Sequence, residues 1–172
     1  LRLWLSLVVD EEDIKNIKPL PNLDYKIVCG NSLLGVEKNL FNLELFNDLE
    51  KLKPLFFNET NPIRKQEYKE QINDLISQIT NGHTDFEVYF SEVFHNKGGF
   101  DVVIANPPYV KEYVNRSAFD GLRNSLYYLG KMDLWYLFAC KGIDVLVSDG
   151  VLTFIAQNNW VTSYGASKMR NK

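Results

Sequence analysis

A side-chain amide, two prolines and a phenol stand in a row at Asn106-Pro107-Pro108-Tyr109, directly after the apolar run Val102-Val103-Ile104-Ala105. The run reads as a buried strand. The loop stops it abruptly, because proline lacks an N–H and fixes φ, and the residue before a proline is itself held extended. Such a loop is stiff and presents acceptors rather than donors. The Asn106 amide oxygen and the Pro107 carbonyl, pointing the same way, suit a planar NH2 group, since each of its hydrogens gains an acceptor. Holding both hydrogens draws the nitrogen lone pair out of conjugation and turns it toward an electrophile. Pro108 keeps the loop rigid, and the ring of Tyr109 can stack on the flat group that bears the amine. No strong base stands in the loop, so the gain comes from orientation and from stabilising the charge that develops on nitrogen. A base in duplex DNA would first have to leave the stack, at a cost of about a few kcal/mol.

The surrounding chain must supply the elements that carry this loop. Residues 132–147 hold Leu134, Trp135, Leu137, Phe138, Ile143 and Leu146 at amphipathic helical spacing, and Asp149-Gly150 turns the chain into a second strand at residues 151–156. Strand, helix and strand at this spacing make a crossover unit, so the sheet is at least partly parallel and the fold class is α/β. An earlier strand is expected at residues 25–29, ending at Gly30-Asn31-Ser32. Ligands of such sheets collect beyond the carboxyl ends of the strands, where Asn31, Asn106 and Gln157-Asn158-Asn159 would form a polar, uncharged rim.

Between these strands the texture turns charged and helical. Leu40, Leu43, Phe46, Leu49 and Leu52 form one apolar stripe, which is expected to halt at Pro54. A second helix is expected to start with Asn61 as N-cap and Pro62 in its first turn, to carry Tyr68, Ile72, Leu75, Ile76 and Ile79, and to close at Asn81-Gly82. The two stripes face each other as an antiparallel hairpin, an insertion over about residues 37–82 with a solvated outer surface. Phe86, Phe90 and Phe94, spaced by four, place three rings on one side of a helix for core packing. Residues 110–129, with Lys111, Arg116 and Arg123, read as a loop with a helical turn and a candidate lid. Residues 1–9 read as the end of a helix or a buried lead-in, and Lys18-Pro19-Leu20-Pro21-Asn22 as a loop.

A chain of 172 residues with 45% hydrophobic content can bury one full core. The formal charge of −3 argues against a protein that coats nucleic acid, yet the total hides a split. Residues 1–106 carry 11 basic against 17 acidic residues, whereas residues 107–172 carry 8 against 5, so a polyanion would meet the second half. Cys29 and Cys140 lack Cys-x-x-Cys spacing and read as free buried thiols, which fits a reducing, cytoplasmic compartment. His83 and His95 stand alone, and no metal is expected. No apolar run reaches the roughly 18 residues of a membrane helix, so no membrane partner is expected.

The residues also carry a resemblance. Phe-Asp-Val-Val-Ile-Ala-Asn-Pro-Pro-Tyr at 100–109 resembles the catalytic segment of the amino-group DNA methyltransferases, specifically the N6-adenine class. In chain order, Gly30-Asn31-Ser32-Leu33-Leu34, Phe90-Ser91-Glu92-Val93-Phe94, Asp133-Leu134-Trp135 and Gly150-Val151-Leu152-Thr153-Phe154-Ile155 extend it. The series is similar to the methyltransferase part of the large fused restriction-modification enzymes (type IIG), and it covers most of the chain outside residues 37–80. The resemblance implies a partial Rossmann-like methyltransferase sheet, S-adenosylmethionine as cofactor, and double-stranded DNA with a flipped adenine as partner. It implies that Asn106 and the Pro107 carbonyl accept from the adenine amino group, that Pro108 fixes the loop and that Tyr109 stacks on the base. Asn31 and Ser32, with Asn106, would lie beside the cofactor; many relatives have Asp where Asn31 stands, and Ala105 replaces a common glycine. The glycine-rich cofactor loop and the acidic residue for the ribose are expected before residue 1, and a target-recognition domain after residue 172. The chain alone is therefore expected to bind cofactor weakly or not at all. The loop suits any planar amine, so a release-factor glutamine or a ribosomal RNA base remains an alternative substrate. An interaction module built on the hairpin is the alternative from another class.

Overall fold

The computed structural model describes residues 24–35, 42–81 and 83–172. The readings at residues 1–9, at residues 18–22, at Leu40 and at Gly82 lie outside the described residues.

Helix α1 (Leu43–Asn58) buries Phe46, Leu49 and Phe56 on one face, and α2 (Pro62–Thr80) answers with Ile72, Ile76 and Ile79. The start of α2 follows from local chemistry. Asn61 accepts hydrogen bonds from the N–H groups of Ile63 (3.0 Å) and Arg64 (3.3 Å), and Pro62 occupies the first turn, where no N–H is needed. Asn81 ends the helix in the left-handed region at φ 47°. Pro54, by contrast, does not halt α1, which continues through it to Asn58. The lost backbone hydrogen bond is offset by complete burial of Phe56 two residues later, and burying a side chain of that size contributes about 2 kcal/mol.

Lys53 also lies on the buried face of α1, with no exposed surface. Its ammonium group donates to the carbonyls of Val88 (3.2 Å) and Tyr89 and to Glu92 (3.0 Å). These bonds fasten the hairpin to α3 (Phe86–Tyr89) and α4 (Ser91–Lys97). Burial pulls the Lys53 pKa down, against the opposing pull of Glu92. Phe86 and Phe94 lie on these two short helices and Phe90 at their junction; all three are only partly buried and stand outside the two buried clusters, rather than in the core. All three pack edge-on around Phe100, at centroid distances of 6.3, 5.4 and 5.4 Å.

Phe100 opens β1 (Phe100–Ala105), which pairs in parallel with β2 (Leu146–Phe154) across helix α5 (Leu134–Asp144). The expected crossover is therefore present. The Asp149-Gly150 turn does not precede β2 but lies within it as a bulge. Phe100 pairs with Leu146 and Val102 with Val151, so one residue of β1 faces four of β2, and Asp149 takes φ 67°. The apolar run at 102–105 predicts a buried strand, but Val102 and Ile104 are 53% and 77% exposed. An all-apolar strand reads as covered on both faces; here the inward residues Val103 and Ala105 are partly covered, and among the described residues nothing covers the outward face.

Residues 25–29 do not form the expected strand. Tyr25 turns at φ 61°, its ring packs edge-on against Phe56 at 5.5 Å, and its hydroxyl donates to Asn73 (2.9 Å) and the Lys69 carbonyl (3.2 Å). Lys26 pairs with Glu92 at 2.6 Å. These anchors tie the segment to the helices, and such contacts outweigh a β propensity of about 1 kcal/mol. Residues 110–129 are irregular as expected, with a single 3-10 turn at Ser117–Phe119. Phe119 and Leu122 are buried with Trp135 and Leu137, so the segment is built into the core around α5 rather than standing off as a lid.

The two thiols also part company. Cys140 is buried in α5, and burial pushes its pKa up to about 11, whereas Cys29 is exposed because its segment is not a central strand. Titration of the folded protein with a thiol reagent at neutral pH is expected to modify Cys29 promptly. Cys140 should react only on unfolding, since the protonated thiol is not the nucleophile; equal rates at the two sites would contradict this packing.

Candidate active site

The Asn106 loop is held from three directions. Ala105, at the end of β1, accepts from the Ile155 N–H at 3.1 Å, which continues the strand pairing beyond β2. Val110 accepts from the Leu134 N–H at 2.8 Å, which fixes the far end of the loop to the start of α5. Between these two points the Tyr109 hydroxyl donates to the Ile155 carbonyl and lies 3.4 Å from the Asn106 Oδ1. Pro107 is buried, whereas Asn106, Pro108 and Tyr109 are exposed. The amide therefore stands at the surface on a backbone that cannot easily move.

Behind the loop lies a cavity of about 370 Å³. Asn106, Pro107 and Pro108 form one wall, and Ser32, Phe86 and Phe138 stand among the others. Lys141 is the one ionisable residue among the described residues that line it. The structure thus brings Ser32 to the Asn106 loop across a long stretch of sequence. Asn31 does not line this cavity: it is exposed, and its side chain accepts from the Leu33 N–H at 3.1 Å, closing a local turn. That turn is seated closely. A Cβ on Gly30 would fall 1.6 Å from the Thr84 Oγ1, so only glycine allows the corner to approach so near. A second hollow of about 230 Å³, lined by Val28, Gly30, Thr84 and Asp85, shares Ser32 and Phe86 with the first.

The amide rim is only partly assembled. Asn106 follows β1 and Gln157-Asn158-Asn159 follows β2, but Asn31 follows no strand. Asn159 accepts from the Tyr136 hydroxyl at 3.5 Å and donates to Gln157 at 3.4 Å, both long contacts.

Sequence patterning alone does not point to two of the lining residues, Phe138 and Lys141, as part of a site, and it assigns Phe86 to the core only. A signal for the first two exists. Phe138, Lys141 and Gly142 on α5 and Val145 at its C-cap follow i, i+3, i+4, i+7 spacing, in line with Leu134 one turn earlier, and all four line the cavity. At the start of the same helix, Asp133 is 3% exposed, and burial raises its pKa against the N–H groups of Trp135 and Leu134 and the charge of Lys111.

A family model described as Eco57I restriction-modification methylase matches residues 1–172, and the chain belongs to that family. No curated protein and no solved structure matches the chain.

Proposed function

We propose that this restriction-modification methylase is adenine-specific, moving a methyl group from S-adenosylmethionine to the N6 amino group of a flipped adenine in double-stranded DNA. The carrying observation is the exposed Asn106 amide on a rigid Pro-Pro loop, opening onto a cavity whose described lining holds no carboxylate and no imidazole. That arrangement favours transfer driven by orientation over transfer driven by a base.

The residues present suit the adenosine part of the cofactor. Phe86 and Phe138 line the cavity with rings against which a flat purine would pack, and Ser32 offers a hydroxyl, whereas Asn31 lies outside the lining. When bound, S-adenosylmethionine supplies an electrophilic methyl group on a sulfonium. Asn106 and the Pro107 carbonyl would accept hydrogen bonds from the two amine N–H groups and leave the nitrogen lone pair free to face the cavity. The one proton that the methylated nitrogen sheds would pass to solvent, since Asn106 stands at the surface. Tyr109 is 41% exposed, and stacking of its ring on the base would contribute about 1–3 kcal/mol, offsetting part of the cost of flipping. Its hydroxyl donates to the Ile155 carbonyl, which fixes the ring beside Asn106. The sheet is read as part of a Rossmann-like methyltransferase fold, and the large fused type IIG enzymes as the setting, on the order of motifs along the chain.

The test is a transfer assay that offers the full-length protein isotopically labelled S-adenosylmethionine with duplex DNA, ribosomal RNA and a release factor side by side. Label in DNA as N6-methyladenine is expected. Label in RNA or in a glutamine side chain alone would overturn the assignment, as would label at cytosine N4.

A further inference from the structure

Four positive groups of the second half are already committed, one of them Lys168, which donates to the carbonyls of Leu126 (2.6 Å) and Tyr128 (3.0 Å). Arg123 pairs with Asp120 at 2.8 Å, Lys172 pairs with Asp144, and Arg170 donates to the carbonyls of Trp160 and Ser163. Lys111 and Lys131 have no carboxylate at ion-pair distance among the described residues, and both line one small cavity of about 150 Å³. Tyr136, Asn159 and Ser163 add a phenol, an amide and a hydroxyl to its wall, and Tyr113 and Asp133 complete the polar lining.

The backbone fixes where these lysines stand. Lys111 and Asp133 form an antiparallel bridge, with Glu112 donating to the Met132 carbonyl at 2.9 Å, so Lys111 faces Asp133 across the bridge. Lys131 sits two residues before it in the left-handed region, at φ 52°. That conformation costs a non-glycine residue about 1 kcal/mol and persists only where packing enforces it. The enforcing contact is Gly165: a Cβ there would lie 2.5 Å from the Lys131 carbonyl oxygen. Asp133 lines the same cavity, more than nine-tenths buried, with neither carboxylate oxygen in a well-formed hydrogen bond. One carboxylate against two ammonium groups leaves the cavity positive.

We infer that this cavity is a phosphate site, which takes a backbone phosphodiester of the DNA strand whose base enters the Asn106 loop. The inference rests on the DNA reading above and adds the contact that sets strand register. Lys111 follows Tyr109 by two residues, so at most about 7 Å of chain separates the stacking ring from the first ammonium-bearing residue. Two ammonium groups, the Ser163 hydroxyl and the Asn159 amide supply donors to a tetrahedral anion. The long contacts that Asn159 makes in the free protein are easily exchanged for a phosphate oxygen.

The test is the salt dependence of duplex binding by the full-length protein, as wild type and as Lys111→Gln, Lys131→Gly and Lys51→Gln. Glycine suits the left-handed backbone at 131, so Lys131→Gly removes the charge without endangering the fold. Lys111→Gln and Lys131→Gly are each expected to shrink the slope of log K against log salt by about 0.9 and to weaken binding at fixed salt. Lys51→Gln, on the exposed face of the hairpin, should keep the wild-type slope. Normal wild-type binding with unchanged slopes in both cavity variants would overturn the inference alone. No salt-dependent binding of DNA by the wild type would overturn the DNA reading and the inference with it. Tight binding of inorganic phosphate with unchanged DNA slopes would assign the cavity to a free anion and equally overturn it.

Discussion

Replacing Asn106 by Ala is expected to lower kcat for methyl transfer by about 10²–10³-fold while leaving the fold and DNA binding largely intact. The amide is exposed, so its removal should change stability by less than about 0.5 kcal/mol. Its place in the reaction is of another order. With one of two acceptors gone, the amine keeps its lone pair in conjugation, and a comparable loss of one preorganised partner in other enzymes costs about 10²–10³ in rate. Single-turnover kinetics with bound duplex would isolate the effect to the chemical step. Tyr109→Phe is the companion variant: it keeps the stacking ring and loses the bond to Ile155, a change worth about 1 kcal/mol. Near-normal transfer by Asn106→Ala would remove the loop from the reaction altogether.

Glu92→Ala is expected to lower stability by about 3 kcal/mol. Glu92 accepts from the buried Lys53 and from Lys26, and its deletion leaves the Lys53 ammonium with carbonyl partners only. The carboxylate is 19% exposed, so solvent screens this charge pair little. A urea midpoint, with an unchanged slope, measures the loss; a variant within about 1 kcal/mol of wild type would show that Lys53 is solvated by the carbonyls alone. Burial pushes the Glu92 pKa up, but the hydrogen bond from Lys26 and the charge of Lys53 outweigh it, and the pKa lies below the ordinary 4.5. A depressed carboxylate stabilises the fold fully above 4.5, and this contribution drains away as pH falls through the lowered value. The wild type should therefore lose stability in that acid window and the Glu92→Ala variant should lose less there.

Features controlled by a few neighbouring residues are legible in the sequence itself. The Asn61 cap and Pro62 first turn, the strand end before Pro107, and the parallel crossover through α5 all follow from φ restrictions and helical period. The departures share a cause as well. Pro54 breaks helices locally, but the burial of Phe56 against the facing helix decides otherwise. Residues 25–29 have the composition of a strand, yet Tyr25 and Lys26 are claimed by Phe56, Asn73 and Glu92, all distant in sequence. Cys29 is accordingly exposed rather than buried.

The sequence by itself determined the chemical character of the loop, because Asn106-Pro107-Pro108-Tyr109 owes its stiffness and its acceptors to its own covalent structure. It also determined the order of elements that carry the loop. Only the tertiary structure decided what the loop faces. Ser32 rather than Asn31 reaches the cavity, Phe138 and Lys141 complete it, and Lys111 and Lys131 meet beside Asp133. Local preferences act over about one helical turn, whereas a cavity is made by side chains that packing alone brings together.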